Sequence, residues 1–365
     1  PYVHFLAEVE GENLMKNSKE FKLIECSGTP YEIGRQWGEG CKESILKISE
    51  NICNGMAFFC KASKEEFVSR AMKFLPAVQE FDPYLVEIMR GQADATGLSL
   101  DEIFTQKCFN ELILDPHTLS GLCTSFAATG KAMQDGKTIL GQNVDFLPGT
   151  PMDLLKIRHS NGLVQFILSF SNSSEFAFSS TGIGMCGNAT IGQDYSFTIP
   201  LGCYLPRAMR EKTIHGAMDI LKRVAHGLGY YHLADRNGHM SGIESIHDDF
   251  EFLLPERDML LHSNHYLTER FKAVDTAPQL QPDSYYRMER IRSLMDRHYG
   301  HINIEIVMDI LADHDHHPHS ICRHIDPTAP ISSTTLASFI MAPAEGAIYI
   351  AAGHPCEYEY VRYEF

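Results

Sequence analysis

The chain has 365 residues, 44% of them apolar, which is room for one large domain or about two ordinary ones around a sizeable core. Lysine and arginine number 31 against 47 aspartates and glutamates, a formal charge of −16. A nucleic-acid backbone or an anionic membrane surface is therefore excluded as the main partner, because each demands a positive face. With 21% charged residues, 27 glycines and 17 prolines, disorder and collagen-like repetition are ruled out as well.

Residues 1–15 carry His4, Glu8, Glu10 and Glu12 and lack a basic start ahead of an apolar stretch, so they do not read as a secretory signal. No apolar run reaches 18 residues, and no membrane span is expected. The ten cysteines form no Cys-x-x-Cys pair; reduced thiols in a cytoplasmic protein are the expectation. From Gly28 the sequence turns helical. Thr29 is placed as an N-cap, Pro30 as the first helical residue and Glu32 as the partner of a capping box. Helical patterns continue to about residue 109, including Pro83–Thr96 and Ser99–Phe109.

Near residue 122 the period changes. Cys123–Ala128 and Thr138–Phe146 read as strands around an Asp135-Gly136 turn, and Leu154–His159 and Leu163–Phe170 as a hairpin around Asn161-Gly162. Phe176–Ser179 and Gly182–Gly192 continue the strand character. A helix is predicted over Pro206–Leu228. Strands are predicted near Gly229–Ala234, Gly238–Ser245, Phe250–Pro255 and Asp258–His262. Helices follow over Asp283–Tyr299 and Asn303–Asp313, and a last hairpin over Thr335–Met341 and Ala347–Ala352. This order suggests an α+β fold of antiparallel sheets covered by helices, with no βαβ repetition.

Three places carry candidate chemistry. Cys123 opens the first strand of the sheet-rich part. A cysteine there is either a small apolar strand residue or, with a base nearby, a thiolate nucleophile. Asn264 lies just past a predicted strand end between His262 and His265, as a turn residue or as an amide donor to an oxyanion. The run from Asp313 to His324 offers His314, His316, His317, His319, Cys322 and His324 as metal ligands. Its spacing fits no standard finger and Pro318 interrupts any helical face. A solvated loop with incidental metal affinity is the expectation, with no metal and no cofactor.

The residues around these places resemble the acyl-coenzyme A:6-aminopenicillanic acid acyltransferase family of cysteine N-terminal-nucleophile hydrolases. Gly28–Gly38 is similar to the family's early helix. Cys123-Thr124 with Gly141-Gln142-Asn143-Val144-Asp145-Phe146 is similar to its nucleophile strand and the paired strand. Leu201–Arg207, Asn264-His265-Tyr266, Ser320–His324 and Gly353–Cys356 resemble later landmarks in the same order. The resemblance implies a four-layer α-β-β-α sandwich of two antiparallel sheets. It implies self-cleavage of a precursor at Leu122–Cys123 into residues 1–122 and 123–365, the mainly helical and the sheet-rich segments of one folded unit.

The same resemblance makes Cys123 the nucleophile, its freed α-amine the base, Asn264 the oxyanion donor and Asp145 a carboxylate that orients the amine, or else a buried structural acceptor. The implied substrate is a small N-acyl amide or an acyl thioester such as acyl-coenzyme A. The implied partner is the chain's own cleaved fragment. Leu122 stands where the fungal penicillin enzyme has glycine, which slows cleavage or leaves the chain unprocessed, and Ile331-Ser332-Ser333 departs from the family pattern. Two other functions remain open: an unprocessed member whose covered Cys123 serves ligand binding or uses another base, and a metal-binding protein organised by the histidine run.

Overall fold

Thr29 caps the first helix as the sequence predicts: its N–H donates to the Glu32 carboxylate at 2.8 Å and its hydroxyl accepts from the Glu32 amide. The structure, a computed structural model, describes residues 16–55, 62–112, 123–194, 198–224, 227–329 and 332–365. The first strand is β1 (Leu23–Gly28). Seven helices follow: α1 (Pro30–Gly40), α2 (Lys42–Gly55), α3 (Lys64–Ala71), α4 (Leu75–Phe81), α5 (Pro83–Thr96), α6 (Leu100–Lys107) and α7 (Phe109–Leu112). α1 and α5 pack with their backbones almost touching. A Cβ at Gly34 would sit 2.0 Å from the Ile88 carbonyl oxygen, and one at Gly91 2.2 Å from that of Tyr31, so only glycine fits either place.

The strands then run β2 (Thr124–Ala128), β3 (Ile139–Phe146), β4 (Met152–His159), β5 (Val164–Phe170), β6 (Phe176–Ser179) and β7 (Ile183–Ile191). Helices α8 (Leu201–Ala208) and α9 (Ile214–Leu221) lead to β8 (Leu228–Asp235), β9 (Met240–Ile246), β10 (Asp249–Leu253) and β11 (Met259–His262). The chain closes with α10 (Ala277–Leu280), α11 (Asp283–Arg297), α12 (Ile304–Leu311), β12 (Thr334–Ala342), β13 (Ala347–Ala351) and β14 (Val361–Glu364). One sheet has the order β1-β4-β5-β6-β7-β8-β9-β10 and the other β11-β2-β3-β12-β13-β14.

Successive side chains of each strand point to opposite faces, and this alternation builds the layers. Leu155, Ile157, Ile167 and Met185 face one way, onto Ile33, Trp37, Val86 and Met89 of α1 and α5. Their neighbours Leu154, Phe166 and Cys186 face the other way and meet Ala127, Leu140 and Phe339 of the second sheet. The opposite face of that sheet, with Phe126, Ile139 and Ile340, packs on Ile291 and Met295 of α11 and Ile310 of α12. The result is helices, sheet, sheet, helices, the four layers the resemblance implied. Both sheets are covered on both faces, so β2, β3 and β5 are buried nearly throughout.

Three features differ from the sequence reading. The edge strands β1 and β14 were not expected, being short and half-exposed, and β1 pairs with β4 in parallel, whereas the other pairings among the described strands are antiparallel. The helix expected over Pro206–Leu228 is two shorter ones. Thr213 restarts the helix as an N-cap of α9, accepting from the Gly216 amide at 3.1 Å. At its end Gly227 and Gly229, with φ of +86° and +82°, turn the chain into β8. Among the described residues, no helix is long and apolar enough to cross a membrane.

Candidate active site

Cys123 lies one residue ahead of β2, and Asp145 is the penultimate residue of the neighbouring β3. Both line a cavity of about 80 Å³ between the sheets, with apolar walls from Val144, Phe146, Phe170, Phe176, Leu201 and Leu228. Two strands beside it are irregular. β7 carries one extra residue between Asn188 and Ile191, where Ala189 and Thr190 face Gly229 of β8 alone, and β12 carries another at Thr335–Ala337, opposite Asp145 and Val144. Gly187, Asn188 and Ala189 of the first bulge line the cavity directly.

Burial pushes the Cys123 thiol up to about 12, with the Asp145 charge adding to the rise and a hydrogen bond from the Asp145 amide opposing it. Asp145 is itself pushed up to about 6, again by burial, while the Arg323 and Arg287 charges and the Thr335 hydroxyl hold it down. Its Oδ1 accepts from the Thr335 hydroxyl at 2.6 Å; its Oδ2 is buried with no hydrogen-bond partner among the described residues. Gly121 and Leu122, on the other side of the expected cleavage point, lie outside the described residues, as does Ile331.

Asn264 is reached through a residue that the sequence reading did not single out. Arg287, fully buried on α11, donates to the Cys123 carbonyl and to the Thr124 hydroxyl, each at 2.8 Å, and to Asn264 Oδ1 at 2.9 Å. Its Nε donates to Asp283 at 2.9 Å, and Asp283 also accepts from Arg323. One guanidinium therefore ties the start of β2 to the Asn264 loop. Asn264 Nδ2 donates to the Ala189 carbonyl at 2.9 Å, at the cavity's bulge, and the Asn264 amide N–H donates to Ser284 Oγ at 2.7 Å.

The flanking histidines hold the loop. His262 Nε2 pairs with buried Glu244 at 2.8 Å, and the same carboxylate accepts the Leu267 and Thr268 amides. His265 pairs with Ser284 Oγ at 2.8 Å. The structure thus places Cys123 and Asp145 in one cavity, whereas Asn264 is not among the residues that line it and is joined to it through the Ala189 carbonyl and, by Arg287, to Cys123. The signal for Arg287 was its spacing. Ser284, Arg287, Met288 and Ile291 make one buried stripe of α11, whereas Asp283 four residues earlier reads as a surface pair.

Two further cavity residues stand out. Asn188 Oδ1 accepts from the Ser125 hydroxyl, and its buried Nδ2 has no partner among the described residues. A polar amide inside the otherwise small and apolar β7 was the available signal. Glu175 is a second carboxylate on the cavity wall, in addition to Asp145. Burial pushes it up to about 7, against a 3.4 Å bond from Asn110 Nδ2. Behind the cavity Glu111 accepts from the Leu201 amide at 2.6 Å and burial pushes it up to about 8.

A sequence profile described as acyl-coenzyme A:6-aminopenicillanic acid acyl-transferase matches residues 132–357. The chain belongs to that family. The matched span is more than half of the chain and contains Asp145, Asn188, Asn264, Arg287 and Arg323; Cys123 lies nine residues ahead of it. Membership makes the chain an amide hydrolase or an acyltransferase. Among solved structures, a variant of the conjugated bile acid hydrolase from Clostridium perfringens is 13% identical, with 67% of this chain and 97% of that one covered and a TM-score of 0.47. The penicillin V acylase from Agrobacterium tumefaciens is also 13% identical, covering 63% and 83% at a TM-score of 0.44.

Proposed function

We propose that the chain cleaves itself at Leu122–Cys123 and then acts through an acyl-enzyme on Cys123 as an amidase or acyltransferase of a small N-acyl compound. The observation that carries this reading is the shared cavity, where a buried thiol lies beside a carboxylate whose Oδ2 has no other partner among the described residues. In the uncut chain the Cys123 nitrogen is an amide and takes no proton. Burial holds the thiol well above its ordinary range, so it stays protonated at pH 7.

Self-cleavage supplies the missing base. The Cys123 sulfur attacks the Leu122 carbonyl carbon, the thiol proton passes to the departing nitrogen as the C–N bond breaks, and the peptide becomes a thioester while the nitrogen becomes an amine. Water then hydrolyses the thioester to the Leu122 carboxylate and the free thiol. The new α-amine, with an ordinary pKa of about 7.7–8.0, accepts the thiol proton, and Asp145 Oδ2 accepts an N–H of that amine and orients it. On a substrate the thiolate attacks the acyl carbon, and the Asn264 and Asn188 amides donate to the oxyanion. The departing amine or thiol takes its proton from the α-ammonium. Water then releases the acid, or an incoming amine takes the acyl group, so acyl-coenzyme A and an N-acyl amide lead to one intermediate.

The cavity supports an apolar group with one donor or cation at its end, facing Glu175. The cut fragments stay joined, because β1 runs beside β4 for six residues and α1–α6 share a core with the first sheet. The test is acid quench of protein mixed with N-acyl amides and acyl thioesters, followed by mass spectrometry. An acyl adduct mapping to Cys123 and absent from Cys123→Ala is expected. Undiminished turnover by Cys123→Ala overturns the reading.

A further inference from the structure

The histidine-rich run is exposed over residues 314–317, as a solvated loop would be, and buried from Ser320 to Arg323. His316 lies against Tyr286, with ring centroids 4.3 Å apart, and His319 sits between Arg323 and Asp326. His314 and His324 turn toward each other and toward two thiols. The ligand atoms of His314, Cys322, His324 and Cys356 all lie within 4.8 Å of one another. They come from three places: the end of the α12 helix, the approach to β12 and the β13–β14 connection. Cys356 is 34 residues from Cys322, which is why no ligand spacing was legible in the run itself.

We infer that these four side chains form a closed Cys₂His₂ site for one structural zinc ion. A tetrahedral zinc with Zn–S of about 2.3 Å and Zn–N of about 2.0–2.1 Å requires S···S of about 3.8 Å, S···N of about 3.6 Å and N···N of about 3.3 Å. The two sulfurs are 3.6 Å apart. His324 Nε2 is 3.7 Å from Cys322 Sγ and 3.5 Å from Cys356 Sγ, and the two imidazole Nε2 atoms are 3.0 Å apart. Four of the six edges of the ligand set are thus already close to those of the tetrahedron, and the two from His314 to the sulfurs lie within 4.8 Å.

The surroundings match such a site. The other nitrogen of His324 lies 4.0 Å from the Glu357 carboxylate, where an outer carboxylate would fix the ring. His354 stacks on His324 with centroids 4.1 Å apart, and is held by the Thr334 hydroxyl at 2.7 Å and Glu357 at 3.2 Å. Two thiolates and two imidazoles favour zinc over the hard cations magnesium and calcium. All four positions are taken by protein, so the ion would brace rather than react. What it braces is Arg323, between two of the ligands. The Arg323 amide donates to the Thr335 hydroxyl at 2.9 Å, that hydroxyl donates to Asp145, and the Arg323 guanidinium reaches Asp283.

The experiment uses untagged, freshly purified protein, dialysed against a mild chelator and analysed for metal by mass spectrometry. About one zinc per chain is expected in the wild type and in the double variant His316→Ala/His317→Ala, and less than about a tenth of that in Cys356→Ser. Should Cys356→Ser fail to fold, cobalt(II) titration of the wild type decides. A thiolate-to-cobalt charge-transfer band saturating at about one equivalent supports the site, and its absence overturns it. Three other results also overturn it: wild-type protein that neither retains nor takes up zinc, metal lost from the double variant but kept by Cys356→Ser, and a Cys322–Cys356 disulfide in anaerobically prepared protein.

Discussion

Replacing Arg287 by methionine removes the guanidinium that joins Cys123 to Asn264 while keeping most of the side chain's length and apolar volume. Three acceptors lose a buried donor: the Cys123 carbonyl, the Thr124 hydroxyl and Asn264 Oδ1. Asp283 keeps Arg323. Breaking a buried, hydrogen-bonded charge network of this kind costs about 3–5 kcal/mol. At about 2.1 cal/mol/K per residue, unfolding 365 residues carries an entropy of about 0.8 kcal/mol/K, so Tm falls by about 4–6 °C. If Asn264 swings away as well, the loss of its donor lowers kcat by about 10²–10³. Arg287→Lys keeps the charge but reaches at most part of the fork, and should fall between the two. Thermal unfolding and steady-state turnover measure both effects. An Arg287→Met variant within about 1 °C of the wild type and with unchanged kcat would refute the argument that this side chain holds the site together.

Asn264→Ala should lower kcat by about 10²–10³ with the fold intact by circular dichroism; wild-type kcat removes Asn264 from the reaction. Glu175, raised to about 7, is neutral below that pH and charged above it, so KM for a substrate with a cationic end should fall as pH rises through 7. Glu175→Gln should flatten that profile, and an unchanged profile takes Glu175 out of substrate recognition. Glu111 is raised to about 8 in the fold, above the ordinary carboxylate value. The folded state is therefore favoured most below about pH 4.3, and that contribution is lost as pH rises through 8. Glu111→Gln should shrink the fall in Tm between pH 5 and pH 9; an equal fall in both proteins contradicts the assignment.

Much of the fold was legible because its signals are local. The Thr29 capping box, the Pro83–Thr96 helix and the strand pairs around Asp135-Gly136 and Asn161-Gly162 each rest on residues a few positions apart. What escaped was non-local. β1 earns its place only by pairing with β4, some 130 residues away in sequence, and β14 only by pairing with β13 at the sheet edge. In the site, Cys123 and Asp145 could be read as neighbours because they sit on consecutive strands. Arg287 carried a signal in its spacing on the Ser284, Met288 and Ile291 stripe, but a helical arginine four residues after an aspartate looks like a surface pair until the helix is docked. Asn188 escaped because only the bulge in β7 brings its amide to the cavity. Cys356 joins the histidine run only when β13 and β14 fold back beside it.

The central claim is that Cys123 becomes a chain terminus. The most direct measurement is the intact mass of freshly purified protein under denaturing conditions, for the wild type and for Cys123→Ala. The account predicts two wild-type polypeptides meeting at Leu122–Cys123, with Cys123 as the new N-terminus, and a single uncut chain for Cys123→Ala. A wild-type protein that remains one chain of 41.1 kDa while turning over an N-acyl substrate would contradict it.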